Sequence, residues 1–334
     1  MTTILYPERL YPDDSHEQRI FGPGAHIVMR DTTLLADLSP EDCAAAEGLM
    51  IFRQWVRADD IARFPRLRAI VRMGVGYDRI DRQAAGARNI LVCNVPDYGT
   101  TEVADHAIAL MMSLRRGLLM HHDGQRTDPT APWQATIFPL LRRLSTQTFG
   151  IIGLGRIGTA VALRAKALGF KVVFFDPYRP RGAELAIGIH RVDSLEDLLR
   201  QSDVLSLHTP HSPETAGMIA APQLALLPQD AVLVSTARGT AIDIDALAAA
   251  LEHGPLAGVG LDVLPVEPPT EPIPRLLRAY RDRAPWTIGR LIITPHSAYL
   301  TPEAHFDIRI KSAETMRAAL MTNRPQNVIT PDMF

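Results

Sequence analysis

Three polar side chains lie just past apolar runs in the second half of the chain. Arg238 follows "AVLVSTA", Glu267 follows "GVGLDVLPV" and His296 follows "LIITP". Each has a plain structural explanation when taken alone: Arg238 can cap a helix, Glu267 can be a solvated loop charge, and His296 can be a satisfied core histidine. Together they match a chemical need. Oxidising an alcohol beside a carboxylate requires a base for the hydroxyl proton, a cation for the carboxylate and a group that steadies the base. Histidine moves a proton near neutral pH. Arginine holds a planar carboxylate through two parallel N–H bonds. A carboxylate such as Glu267 orients the imidazole and stabilises imidazolium.

A redox partner is implied by "GIIGLGRIGTAVALRAKALGFKVVFFD", which carries Gly153, Gly155 and Gly158 as G-x-G-x-x-G. The motif follows an apolar strand, opens a helix and precedes a second strand ending in Asp176, eighteen residues after Gly158. Gly153 permits the tight turn, Gly155 lets backbone approach a pyrophosphate, and Gly158 lets helix and strand pack closely. The helix N-terminus offers free N–H groups and the positive dipole end to phosphates. Asp176 is suited to accept hydrogen bonds from the two hydroxyls of an adenosine ribose and to repel a 2′-phosphate, which points to NAD. Arg179 and Arg181 follow closely and pull the other way.

The elements that must position these groups are legible as short apolar runs. "TILY", "AHIVM", "GLMIF", "LRAIVRM" and "NILVCN" read as strands of an open α/β unit, with a helix starting at Ser39–Pro40 and further helical pieces in "RADDIARF" and "RIDRQAAGA". "TEVADHAIALMMSLRRG" reads as a long helix with almost no polar face, buried on more than one side. Residues 121–146 read as a polar connection with a docked Trp133. Six strands follow, "TFGIIGLG", "KVVFFD", "DVLSLH", "AVLVST", "LAGVGLDV" and "RLIITP", separated by helical segments as in a doubly wound parallel sheet. In such sheets ligands lie beyond the carboxyl ends of the strands, where Arg238, Glu267 and His296 fall. A last helix from "TPEAHFDIRIK" is placed to lead back to the first domain.

Composition narrows the class. The 334 residues are 46% hydrophobic and 22% charged, enough for two globular domains. A net charge of −2 favours neither nucleic acid nor an anionic membrane. No run approaches the ~20 apolar residues of a membrane span, and the N-terminal residues carry no secretory pattern. The two cysteines, Cys43 and Cys93, lack metal-site or disulfide spacing, so no metal is implied and a reducing cytoplasm is expected.

At this point the sequence resembles a known family, the NAD-dependent D-isomer-specific 2-hydroxyacid dehydrogenases. The resemblance covers nearly the whole chain and is carried by "GIIGLGRIG", "STARGTAID", "LDVLPVEPP", "TPHSAYLT", "RMGVGYDRID" and "NVPDYGTTEVADHA". It implies a Rossmann NAD domain, residues 100–299, inserted into a flavodoxin-like α/β substrate domain of residues 1–99 and 300–334. It implies Arg238, Glu267 and His296 as the catalytic residues, and Asp262 at the nicotinamide carboxamide. Arg156, Ile157, His208, Thr209, Pro210, Thr215, Thr236 and Ala237 would contact the rest of the cofactor, and the backbone at Val75 and Gly76 the substrate carboxylate. A homodimer is the family's habit.

Within the family the chain is most similar to the branch containing the C-terminal binding protein corepressors. Arg72 falls on that branch's substrate-contacting arginine, whereas Tyr299 stands where the corepressors carry tryptophan. Tyr98 resembles the pocket tyrosine of D-lactate dehydrogenases. Glu267 argues against formate dehydrogenases, which carry glutamine there; phosphite dehydrogenases keep all three catalytic types. The expected reaction interconverts a small 2-oxo acid and an (R)-2-hydroxy acid. The alternatives are an NAD(H)-gated corepressor-like module and a phosphite-type dehydrogenase.

Overall fold

The computed structural model describes residues 1–127, 133 and 135–333. The chain forms two compact units, Met1–Gly99 with Leu300–Phe334, and Thr100–Tyr299. In the first, strands and helices alternate: β1 (Thr2–Tyr6), α1 (Ser15–Phe21), β2 (Ala25–Met29), α2 (Pro40–Ala45), β3 (Gly48–Ile51), α3 (Ala58–Ala62), β4 (Ala69–Arg72), α4 (Arg82–Ala87) and β5 (Leu91–Asn94). The five strands are all parallel, in the order β2-β1-β3-β4-β5. β3 and most of β4 and β5 are buried, as their continuous apolar runs require in a sheet covered on both faces. Ser39 caps α2, its hydroxyl accepting the Asp42 N–H at 3.1 Å, with Pro40 in the first turn.

The second unit opens with α5 (Thr100–Arg115) and α6 (Leu118–Thr127). It continues through β6 (Thr148–Ile152), α7 (Arg156–Ala167), β7 (Lys171–Phe175), α8 (Ala183–Ile187), β8 (His190–Arg191), α9 (Leu195–Gln201) and β9 (Val204–Leu207). Then come α10 (Ala221–Leu224), β10 (Ala231–Ser235), α11 (Ile244–Glu252), β11 (Leu256–Leu261), α12 (Arg275–Arg281) and β12 (Leu291–Ile293). Seven parallel strands take the order β12-β11-β10-β9-β6-β7-β8. Alternate strand residues feed two cores. Leu205, Leu207, Leu233, Val259 and Leu261 join Leu198, Leu247 and Leu251 on one face, while Phe149, Ile151, Phe174 and Val234 join Leu110, Val161 and Ala165 on the other. Each fully buried leucine or phenylalanine contributes about 2 kcal/mol of transfer free energy. α13 (Pro302–Leu320) returns the chain to the first unit and packs on β3, β4 and β5.

Three expectations need correction. The seventh strand, β8, is only two residues long and carries no apolar run, so it has no period to read. Part of the supposed connection is helical, since α6 extends to Thr127 despite its polar composition. Trp133 is 90% exposed rather than docked; Leu140, 2% exposed, and Phe138 anchor this stretch instead. The rest of its centre, residues 128–132 and 134, lies outside the described residues. α5 buries Ala104, Ala107, Leu110, Met111 and Leu114, while Val103, Ile108 and Met112 are half-buried.

The first unit holds a charged pair deep in its packing. Arg309 of α13, its side chain 8% exposed, pairs with Glu17 of α1, 0% exposed, through bonds of 2.8 and 2.7 Å, and also reaches Asp13 Oδ1 at 3.2 Å. Removing Glu17 leaves the buried guanidinium without its bidentate carboxylate. Glu17→Ala is therefore expected to lower the stability of this unit by about 3 kcal/mol, seen as a lower urea midpoint; the paired Glu17→Leu, Arg309→Met should come close to wild type.

Candidate active site

The glycine loop leaves β6 at Gly153, whose φ of +86° is a conformation that favours glycine. A Cβ at Gly158 would lie 2.0 Å from the Gly153 carbonyl oxygen, so helix and loop approach as closely as backbone allows. At Gly155, which caps the twelve-residue α7, a Cβ would meet nothing within 4 Å, leaving open space before the helix N-terminus. Arg156 and Ile157 form its first turn. Asp176 follows β7 with its carboxylate fixed from two sides: the Leu154 N–H donates at 2.8 Å and the Tyr178 N–H at 2.9 Å. Arg179 donates through Nε to the Leu154 carbonyl, and Arg181 reaches Asp193 at 3.3 Å.

Around this loop several buried polar atoms have no protein partner among the described residues: His208 Nδ1, Thr209 Oγ1, Ser235 Oγ and Thr236 Oγ1. They follow or end β9 and β10, on the carboxyl edge next to β6. His208 binds Ser206 Oγ through Nε2 at 2.8 Å, and burial pushes its pKa down to about 3, so the ring is neutral. Leaving such groups unsatisfied costs ~1–3 kcal/mol each, a cost that a polar ligand relieves. Orphaned donors beside an open helix N-terminus fit a dinucleotide. Ala237 is buried and Pro210 exposed beside them. Thr215 is already engaged: its hydroxyl donates to the Pro210 carbonyl at 2.7 Å and accepts the Ser212 N–H at 2.8 Å, which closes the turn between them.

The three candidate catalytic residues, Arg238, Glu267 and His296, follow the neighbouring strands β10, β11 and β12. His296 Nδ1 lies 2.6 Å from Glu267 Oε2, and Glu267 Oε1 accepts the Leu264 N–H at 2.8 Å. The carboxylate is thus braced by backbone and takes one ring nitrogen, which leaves Nε2 for a reacting molecule. Arg238 donates from Nη1 to the Ala237 carbonyl at 2.8 Å. The Tyr299 ring stands edge-on to His296, centroids 6.4 Å apart.

Sequence reasoning missed what holds His296 in place. Its backbone is left-handed, φ +52°, and its N–H donates to the Asp262 carbonyl at 2.8 Å. The Asp262 side chain, 1% exposed, accepts from Thr294 Oγ1 at 2.6 Å, from the Ser297 N–H at 2.9 Å and from the Ala298 N–H at 2.9 Å. A residue expected only at the nicotinamide therefore also organises the loop that presents the histidine. The one signal was an aspartate ending an otherwise apolar buried strand.

In the first unit, Arg72 ends β4, donates to the Met73 carbonyl at 2.5 Å and lies 5.8 Å from the Phe52 ring centroid. The Val75 carbonyl accepts from Asn94 Nδ2 at 2.7 Å, while Gly76 and Tyr98 are half-buried on the following loops. Glu8, which no motif marked, accepts the N–H groups of Phe52 and Arg53 at 2.8 Å each and so fixes the loop after β3. No group of three or more His, Cys, Asp or Glu side chains arranged to hold a metal occurs among the described residues.

Residues 108–298, which contain the glycine loop and all three proton-transfer candidates, match the family model described as D-isomer specific 2-hydroxyacid dehydrogenase, NAD binding domain. The chain belongs to the D-isomer-specific 2-hydroxyacid dehydrogenase family. It is 35% identical over 291 residues to a glycerate dehydrogenase of Methylorubrum extorquens, covering 86% of this chain and 87% of that protein. It is 34% identical over 274 residues to a D-3-phosphoglycerate dehydrogenase of Methanocaldococcus jannaschii, covering 82% of this chain and 49% of that protein. The D-lactate dehydrogenase of Aquifex aeolicus, solved with NAD and lactic acid, superposes with a TM-score of 0.82 at 28% identity, covering 97% of this chain and 96% of that one. As a family member the chain is an NAD-dependent D-2-hydroxyacid dehydrogenase.

At the expected ribose end of the dinucleotide, the fixed Asp176 carboxylate would present a negative charge. NADH should be preferred to NADPH by at least about tenfold in kcat/KM, ~1.4 kcal/mol; steady-state rates with each cofactor check this, and equal use of both would contradict it.

Proposed function

We propose that this enzyme interconverts a small 2-oxo acid and the corresponding (R)-2-hydroxy acid, with His296 as general acid and base. The observation that carries the reading is the 2.6 Å contact between His296 Nδ1 and the braced Glu267 carboxylate, one strand from Arg238 and on the same sheet edge as the glycine loop. Glycine-loop backbone, Asp176 and the orphaned hydroxyls of Thr209 and Thr236 would hold NADH, whose nicotinamide supplies the hydride. Arg238 binds the substrate carboxylate and polarises the carbonyl. His296, as imidazolium, donates a proton from Nε2 to the carbonyl oxygen while Glu267 stabilises its charge; in the reverse direction neutral Nε2 takes the hydroxyl proton. Arg72, the backbone of Val75 and Gly76, Tyr98 and Tyr299 contribute to substrate binding. The names of the relatives make glycerate and its 2-oxo form, hydroxypyruvate, the first substrates to test. The buried free thiols of Cys43 and Cys93 suit a reducing compartment such as the cytoplasm.

His296→Asn should lower turnover ~10²–10⁴-fold in both directions, the loss expected for a missing general acid, without weakening NADH binding measured by fluorescence. Glu267→Gln should lower turnover in both directions while NADH binding is kept, because an amide no longer stabilises imidazolium. Wild-type protein that binds NADH but reduces none of hydroxypyruvate, glyoxylate and pyruvate would favour an NAD(H)-gated binding role instead.

Ile108 and Met112, half-buried and four residues apart on one face of α5, form an apolar patch that a second copy of the chain would cover. A homodimer is expected in light scattering at micromolar concentration; a monomer there would refute it.

A further inference from the structure

The buried Asp262 carboxylate has His106 of α5 beside it, with Nε2 3.7 Å from Asp262 Oδ1. The closer contact of that nitrogen is Thr294 Oγ1, at 3.0 Å. The proton arrangement follows from the chemistry of the partners. An ionised carboxylate only accepts, so the Thr294 hydroxyl must spend its single proton on Asp262 Oδ1, 2.6 Å away. The hydroxyl then has only lone pairs to offer His106, and His106 Nε2 must carry a hydrogen. The result is a directed relay, His106 Nε2–H to Thr294 Oγ1–H to Asp262 Oδ1. Its last member accepts the N–H groups of Ser297 and Ala298, and its backbone carbonyl accepts that of His296.

We propose that His106 is a positioning residue for the proton-transfer step, fixing the Thr294 hydroxyl and through it the Asp262-held loop that presents His296. The proposal rests on the reading of His296 as the group that moves the proton. His106 is three-quarters covered, and its contacts lead to the His296 loop through Thr294 and Asp262. Its influence therefore runs through the orientation of a loop whose central residue sits in a backbone region that a histidine adopts only when held there. Without the His106 donor, Thr294 can rotate toward the Leu261 carbonyl, 3.4 Å away, and one of the three bonds that fix the Asp262 carboxylate is lost. A misplacement of the donor nitrogen by a fraction of an ångström is felt in the chemical step and not in ground-state binding.

The test compares wild type, His106→Phe, His106→Gln, Thr294→Val and the Phe/Val double variant, in NADH-dependent reduction of hydroxypyruvate, glyoxylate and pyruvate, with NADH affinity measured separately by fluorescence. His106→Phe is expected to lower kcat about tenfold while KM and the NADH dissociation constant stay within about threefold. His106→Gln, which keeps an N–H donor at similar reach, should recover most of that loss. The double variant should fall no further than Thr294→Val alone, because both changes cut the same relay. Wild-type kcat in His106→Phe, a glutamine no better than phenylalanine, or losses that simply add would each overturn the proposal. If His106→Phe fails to bind NADH through misfolding, the glutamine and valine variants decide it on the same terms. Near-normal turnover in His296→Asn would instead remove the reading on which the proposal rests, and a wild type that reduces none of the three acids would overturn both.

Discussion

One buried carboxylate sets the geometry on which the chemistry depends. β11 and β12 pair in parallel with Leu261 opposite Ile293, so the next residues out, Asp262 and Thr294, leave the sheet side by side. Asp262 then takes three hydrogen bonds from residues 294–298, while its carbonyl takes the His296 N–H. Charge-assisted bonds of this kind contribute ~1.5–3 kcal/mol each, against ~1–3 kcal/mol for holding a non-glycine residue at positive φ. The bonds outweigh the strain. A histidine is thereby held in a conformation that a free loop would rarely visit, with Nδ1 against Glu267 and Nε2 available.

The same logic of strand ends runs along the sheet. Parallel strands put their carboxyl termini on one edge, and that edge gathers Gly153 after β6, Asp176 after β7, His208 and Thr209 after β9, Thr236 and Arg238 after β10 and His296 after β12. The strands themselves are buried on both faces and tolerate few polar groups, so functional side chains fall just beyond them. Strand order sets the proposed cofactor contacts on one stretch of the edge and the proposed proton transfer on the next. The unpartnered hydroxyls of Thr209 and Thr236 lie on the first of these stretches.

Much of this was legible because it is written in local patterns. Continuous apolar runs give parallel strands, three glycines at fixed spacing give the loop, and an aspartate eighteen residues on gives the proposed ribose contact. Arg238, Glu267 and His296 could be picked out as polar residues closing apolar runs. What stayed hidden depends on contacts distant in sequence or on runs too short to have a period. His106 and Thr294 are 188 residues apart, and nothing in "ADHAIAL" distinguishes a relay member from a helix-surface histidine. No motif marks Glu8, whose carboxylate meets the N–H groups of Phe52 and Arg53, more than forty residues away. β8 is two residues of polar sequence paired with β7. Trp133 was misread for the opposite reason: a large aromatic suggested docking, yet Leu140 and Phe138 supply the apolar contact.

The central claim is that one histidine carries the proton in both directions. The most direct measurement is chemical rescue of a His296→Ala variant by added imidazole, followed for 2-oxo acid reduction and for 2-hydroxy acid oxidation. Free imidazole in the vacated space supplies the same acid and base chemistry. The account predicts activity that is lost in the variant and regained with rising imidazole in both directions. Near-normal turnover without imidazole, or rescue in one direction only, would contradict it.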